Sequence, residues 1–571
     1  MNASEIQRIV LLVALGVLAY LLVKAWNDDY GGASQPVADR APIIGDASPA
    51  PASDSPAETL VPVDVDALSS TSDIPDASLL ADASQSTAPT GRVDPISTER
   101  LVTVETNVLK VWIDRVGGDV VGAHLPRFPV SLERPDVPIS ILDMSPTRTY
   151  VAQSGLIGRD GPDVGDSRPV YTTASTNFTV LESPATVALE SEVDGVRIVK
   201  RFTFEPDSYL VDVAYQIENR KSADFSYRLF AQLKRDGHVV ESLTDMALGP
   251  RAFQGVATTT DESRYEKFDF EDLQEEPFRE RVQGGWIAFL QHYFLSAWVA
   301  DPQGSNSFYG ERRASGLYVA GFIGPERVVG SGQTDGASAQ LYVGPKDQKV
   351  LETISPNLNL TVDYGFLWWL AVPLFYVLDW VHGFVGNWGI AIILLTVIIK
   401  LVLFPLSAAA YKSTAKMRKV TPQLKRLQER YGDDKQKLSQ EMMALYRREG
   451  ANPVGGCLPM LLQMPVFIAL YWVLYESVEL RQAPFYLWIE DLAAMDPYFV
   501  LPILMGASMY ATTILNPPMP DPMQQKMMKM MPILFTVLFA FFPSGLVLYW
   551  LINNVPVSYT HLRAHETPLH R

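Results

Sequence analysis

The sequence predicts a membrane α-helical bundle, an N-terminal anchor plus a five-helix core, joined to a large all-β periplasmic sandwich domain and a cytoplasmic helical hairpin. Three observations predict it. Long apolar runs sit at the start of the chain and in its last third. Period-two alternation fills the middle. A basic segment of helical period interrupts the late apolar runs.

Bulk properties bound the reading first. The chain has 571 residues, a formal net charge of −17 and one cysteine, Cys457. Its mean hydropathy of +0.06 averages a polar half with a very apolar half. The acidic balance excludes general nucleic-acid binding, which needs a basic footprint. One cysteine excludes an intrachain disulfide, and Cys457 at the edge of an apolar run reads as a small packing residue.

In chain order, Ile9 to Val23 are apolar and flanked by Arg8 and Lys24. With no small-residue cleavage site after Val23, residues 1–26 read as an uncleaved anchor. Residues 27–98 are rich in Pro, Ala, Ser and Asp, with twelve acids against Arg40 and Arg92. Such composition cannot offset chain entropy and reads as a disordered acidic linker. Residues 99–363 carry the alternating runs Leu101–Val104, Leu109–Ile113 and Tyr209–Ile217, punctuated by turns such as Gly117-Gly118-Asp119. They predict one antiparallel sandwich.

Residues 364–555 form the expected membrane core. Phe366 to Trp380 is aromatic-rich and reads as an interfacial helix over 366–380. Candidate spans follow at Val381–Ile399, Leu458–Tyr475, Phe499–Leu515, Met530–Phe542 and from Pro543 onward. Between Tyr411 and Glu449, eleven basic residues face five acids, whereas Glu479 to Asp496 has one Arg against four acids. The positive-inside rule therefore puts the first loop and the N-terminus in the cytoplasm and the β domain outside. From Pro556 the pattern stops, and 556–571 reads as a non-native cloning scar.

Four features are candidates for function. Lys400 is a charge inside an apolar run, with Thr396 one turn earlier on the same face. It faces protein or water, or it snorkels to the headgroups. Gln463 beside Met464-Pro465 is an amide inside a span, either packing glue or a functional group. The segment 411–449 places Met417, Val420, Leu424 and Leu427 against Leu438, Met442 and Leu445, a helical hairpin. Its basic residues, among them Lys416, Arg418, Lys419, Lys425 and Arg426, suit anionic lipids, nascent chains or ribosomal RNA alike. Methionines crowd the last spans, as packing or as an adaptable surface. His124, His238 and His292 have no metal-ligand spacing and read as structural.

Long motifs now carry a resemblance. Phe404-Pro405-Leu406, Gly432-Asp433-Asp434-Lys435, Asn452-Pro453-Val454-Gly455-Gly456-Cys457, Leu501-Pro502-Ile503 and Phe542-Pro543-Ser544-Gly545 resemble the YidC family of bacterial membrane protein insertases. So do Gly284-Gly285-Trp286 and Gln291-His292-Tyr293-Phe294 in the β domain. The large outer domain resembles the Gram-negative form. The resemblance implies a hydrophilic groove among five core spans, with Lys400 at a position often occupied by arginine. It implies groove roles for Thr396 and Gln463, and substrate contacts for Met464, Phe467, Tyr549 and Trp550. It implies nascent membrane proteins as clients and the Sec translocon, the ribosome and the signal-recognition machinery as partners. It implies no catalysis, no cofactor and no specific nucleic-acid recognition. A secondary transporter, or a tethered mutarotase-like carbohydrate protein, is the alternative. The first predicts internal repeats, of which there are none; the second does not account for five further spans.

Overall fold

The computed structural model describes residues 74–75, 98–165, 167–238, 252–432, 434–450, 458–515 and 522–554. The expected anchor, the linker apart from 74–75 and 98, Cys457 and the segment from 556 lie outside the described residues.

Alternation builds the β domain. In Leu101–Thr106 the side chains of Val102, Val104 and Thr106 are buried while Glu105 is exposed. In Leu210–Asn219, Val211, Val213, Tyr215 and Ile217 point inward. Period-two patterning puts each such set on one face of a strand. The strands form two sheets, one of eleven strands and one of eight, whose facing sides share one apolar core. Pairing is antiparallel except between Leu101–Thr106 and Asn177–Val180, which run parallel. Two of the interior's cations are bonded in place. Arg168 binds Asp119 and Asp163, and the Lys200 amine donates to the carbonyls of Gly117, Gly118 and Ser154.

The smaller sheet does not end in solvent. Every side chain of Trp286–Leu290 and Phe294–Ala300 is buried, as expected for strands covered on both faces. Trp286, Ala288, Leu295, Ala297 and Tyr342 belong to a second core that continues through Leu351, Leu358 and Tyr364 into the helices. The β domain and the helical region are thus packed as one body along this face.

Seven helices follow: α1 Trp368–Val385, α2 Trp388–Val402, α3 Phe404–Tyr431, α4 Lys435–Glu449, α5 Leu458–Glu476, α6 Val500–Leu515 and α7 Pro522–Phe539. A further helix, α8, covers residues 544–554. Two boundaries differ from the sequence expectation. The helix expected over 366–380 continues to Val385, and the apolar run Val381–Ile399 is broken inside. Gly386 adopts φ +65°, which ends α1, and the Asn387 side chain accepts from Ile390 N at 3.0 Å, which starts α2. Hydrophobicity is continuous across this corner, so the periodic pattern hides it. Residues Gly365–Val385 are the one helical run among the described residues that is long and apolar enough to cross a membrane by length and composition.

The hairpin is seen at the expected turn. α3 ends at Tyr431, and Asp434 caps α4 by accepting from Lys437 N at 3.0 Å. Val420, Leu424, Leu445 and Tyr446 are buried between the two helices, with Leu427 and Met442 packed against them. α6 and α7 cross closely at Gly506, where a Cβ would stand 1.8 Å from Thr536 Oγ1. Small residues allow such approach between helices.

Polar contacts weld the sheet to the helices. Lys346 Nζ meets Glu476 Oε2 at 2.7 Å, both side chains only 2% exposed. His292 Nε2 donates to Tyr475 O at 3.0 Å, and its ring stacks between Tyr293 and Tyr475. Arg481 and Gln482 donate to Pro129 O at 2.7 and 3.2 Å.

Removing one partner of a buried ion pair leaves an uncompensated charge and costs about 3–5 kcal/mol. Lys346→Met is therefore expected to lower the thermal unfolding midpoint of the detergent-solubilised protein. The double variant Lys346→Met/Glu476→Leu should recover most of that loss. Equal midpoints for Lys346→Met and the unaltered chain, followed by tryptophan fluorescence, would refute the weld.

Candidate functional site between the helices

The sequence candidates fall into two groups in space. The first is on α2. Its buried face comprises Ala391, Ile392, Leu395, Thr396 and Ile399, and its outward face comprises Leu394, Val397 and Leu401. At 100° per residue, Lys400 falls on the border between these faces, and it is half-buried. Thr396 faces protein. It is 1% exposed, and its hydroxyl donates back to Ile392 O at 2.7 Å, so its hydrogen bond is closed within the helix.

The second group joins α5 to α8. The Gln463 amide donates to the hydroxyl of Tyr549, which is wholly buried. Phe467 lies one turn after Gln463 and stacks on Tyr549 at 6.4 Å between ring centres. It meets Trp550 edge-on at 5.0 Å. Met464, on the neighbouring face of α5, is exposed. The structure therefore brings Gln463, Phe467, Tyr549 and Trp550 together.

Sequence reasoning missed three members of this group. Phe539 of α7 packs on Trp550 at 5.6 Å and on Phe467 at 6.3 Å. Trp550 Nε1 and Asn553 Oδ1 are buried without a hydrogen-bond partner among the described residues. Asn554 Nδ2 donates to Ser508 Oγ at 3.3 Å, tying α8 to α6. The pair Asn553-Asn554 in an apolar helix was the available signal, since amides in spans seek partners.

The loop 477–499 closes one end of the bundle by satisfying helix N-termini. Asn387, at the start of α2, donates to the carbonyls of Pro484 and Phe485. Asp496 accepts from Tyr498 N at 3.0 Å and from Leu501 N, in the first turn of α6, at 2.7 Å, and also from Trp488 Nε1. Ser544, opening α8, donates from its hydroxyl and its backbone N–H to Ala494 O. These starts would otherwise leave unpaired donors in an apolar setting. Beside them, burial pushes Glu479 up to about 7, with Asp347 and Asp379 adding repulsion.

At the other end stands the hairpin. Lys416, Lys419 and Arg426 are exposed on α3. Met417, Arg418 and Lys425 lie in the same helix, their side chains outside the described residues. The exposed aliphatic residues Ile503, Ile514, Ile533, Leu534 and Val537 line α6 and α7, the outward face expected of helices in lipid.

The family model described as 60Kd inner membrane protein matches residues 380–564, and that of the YidC periplasmic domain matches 101–377. A membrane protein insertase YidC from Marinobacter nauticus is 47% identical over 96% of both chains, and one from Azotobacter vinelandii is 47% identical over the same shares. A crystal structure titled as an active YidC insertase with its first transmembrane domain resolved is 19% identical. It covers 81% of this chain and 93% of its own, with a TM-score of 0.36.

Leaving a buried polar group unpaired costs about 1–3 kcal/mol, whereas replacing both partners is nearly neutral. Tyr549→Phe is expected to destabilise the bundle, and adding Gln463→Met should restore it. Chemical-denaturation midpoints of the purified variants check this. A Tyr549→Phe variant as stable as the parent would mean that the bond to Gln463 contributes nothing.

Proposed function

Since the chain belongs to the YidC family of membrane protein insertases, we propose that Lys400 is the charge that draws acidic or polar client segments into a groove beside α2. The observation that carries this is its position: a half-buried amine at the border of the buried and outward faces of α2. A charge in a span costs about 2.5–3.5 kcal/mol on insertion scales, and a client's carboxylate would offset part of that. The client then slides along Met464, Phe467, Tyr549 and Trp550, with Gln463 and the unpaired Trp550 N–H offering hydrogen bonds on the way. Thr396 supports packing under Lys400 rather than contacting clients.

The family works in the inner membrane with its β domain on the periplasmic side. In our reading the N-terminus is cytoplasmic, five spans follow the β domain, and α1 lies along the interface. Both ends of α1 support the last point. Asp363, just before it, pairs with Lys267 at 2.6 Å, and Asp379 pairs with Lys349 at 2.6 Å. A helix descending from residue 365 would put residue 379 roughly 20 Å deep at 1.5 Å per residue, beyond the reach of Lys349 on the β domain. The exposed Trp368, Trp369 and Trp380 suit the headgroup level.

The basic hairpin faces the cytoplasm in this arrangement. It receives nascent chains, alone or beside the Sec translocon, the ribosome and the signal-recognition machinery, or it rests on anionic lipids.

Two outcomes follow. Lys400→Arg should keep insertion of a small single-span client, while Lys400→Ala and Lys400→Glu should lose most of it, read by protease protection in a depletion strain. Full complementation by Lys400→Ala would sink the groove-charge reading. Deleting 411–449 should leave the protein membrane-integrated and thermally stable yet slow client insertion several-fold. Normal insertion by the deletion would remove the hairpin from the mechanism.

A further inference from the structure

The outer face of the larger sheet holds an unexpected occupant. The core between the sheets takes Leu156, Leu229, Ala231, Phe308, Ala320 and Phe322. Their neighbours along the same strands therefore point to the opposite face. There, Ile157, Phe230, Tyr309, Val319 and Ile323 form a separate apolar cluster, and its sixth member is Ile74. Ile74 is 6% exposed, and Pro75, the next residue of the acidic linker, is buried with it.

The seat is shaped in advance. Phe230 stands opposite both Gly155 and Ile323 across the ladder. A Cβ at Gly155 would lie 2.7 Å from the Phe230 ring, so glycine lets that ring lie low. Tyr309 is held by donating to Gln232 Oε1 at 2.7 Å, and Gln232 in turn donates to Gln153 at 2.9 Å. A cavity of about 340 Å³ adjoins the seat, lined by Tyr309, Ile323, Ser307, Arg279, Glu280 and Arg281. In sequence the segment reads Asp73-Ile74-Pro75-Asp76, and Arg279 and Arg281 of the cavity lining are exposed.

We propose that this face is a peptide-docking site for a branched aliphatic residue followed by proline and flanked by acids, and that Ile74–Pro75 occupies it in cis. The apolar cluster supplies affinity, the proline limits the entropy lost on docking, and Arg281 matches the acidic flanks, Arg279 being paired with Glu311 at 3.0 Å. Docking divides the linker into a stretch before residue 74 and a loop from 76 to 97. The β domain is then held to the anchor by the first stretch alone.

The test uses the full chain in detergent. Ile74→Asp should raise hydrogen exchange about tenfold or more in peptides covering Phe225–Arg235 and Tyr318–Ile323, with the unfolding midpoint retained. A fluorescent peptide of residues 66–84 should bind the Ile74→Asp chain at least tenfold more tightly than the unaltered chain, whose site is filled. The same peptide carrying Ile74→Asp should not bind. Unchanged exchange overturns the proposal, as does raised exchange without peptide capture. An equal effect from Leu79→Asp also overturns it, because the seat is specific to position 74.

Discussion

The buried pair Lys346–Glu476 is the contact on which the arrangement of the two halves rests. It sits where the last strand of the β domain gives way to the helices and where α5 ends. Two opposite charges at 2.7 Å, each 2% exposed, fix distance and direction together, while the apolar packing around them is tolerant of sliding. The flanking contacts share one locus: His292 on Tyr475 O, the Tyr293–His292–Tyr475 stack, and Arg481 on Pro129 O. Sheet position thereby sets the position of α5, and α5 carries Gln463, Met464 and Phe467.

From that end the rest of the bundle is arranged by backbone accounting. The loop 477–499 leaves α5 and returns its polar groups to the starts of α2, α6 and α8. One segment thus bonds to the starts of three helices and closes the bundle on the side of the β domain. The aromatic group of Phe467, Phe539, Tyr549 and Trp550 lies between these helices.

Much of this was legible in the residues. Alternation located strands such as Leu101–Thr106 and Leu210–Asn219, and the basic helical period located the hairpin with its turn near Gly432. The illegible parts share a cause. The corner at Gly386-Asn387 sits inside unbroken hydrophobicity, so only its glycine marks it. The partners Lys346 and Glu476 lie 130 residues apart, and His292 and Tyr475 lie 183 apart, beyond any local pattern. Thr396 was read from its helix face, but a threonine can close its hydrogen bond on its own backbone, and this one does. Ile74 is a lone apolar residue in a segment whose composition argues against any fixed contact. The parallel pairing of Leu101–Thr106 with Asn177–Val180 depends on a crossover that alternation does not encode.

The shared core also dictates an order of assembly. The face of the smaller sheet bearing Trp286, Ala297 and Tyr342 finds its cover only when α1 and α5 have been made and placed. During synthesis the exported domain therefore folds around its inter-sheet core first and waits with an apolar face and Lys346 uncovered. Contacts of such long separation close slowly. For that interval the nascent insertase is itself a membrane protein with unfinished helices, in the same predicament as its clients.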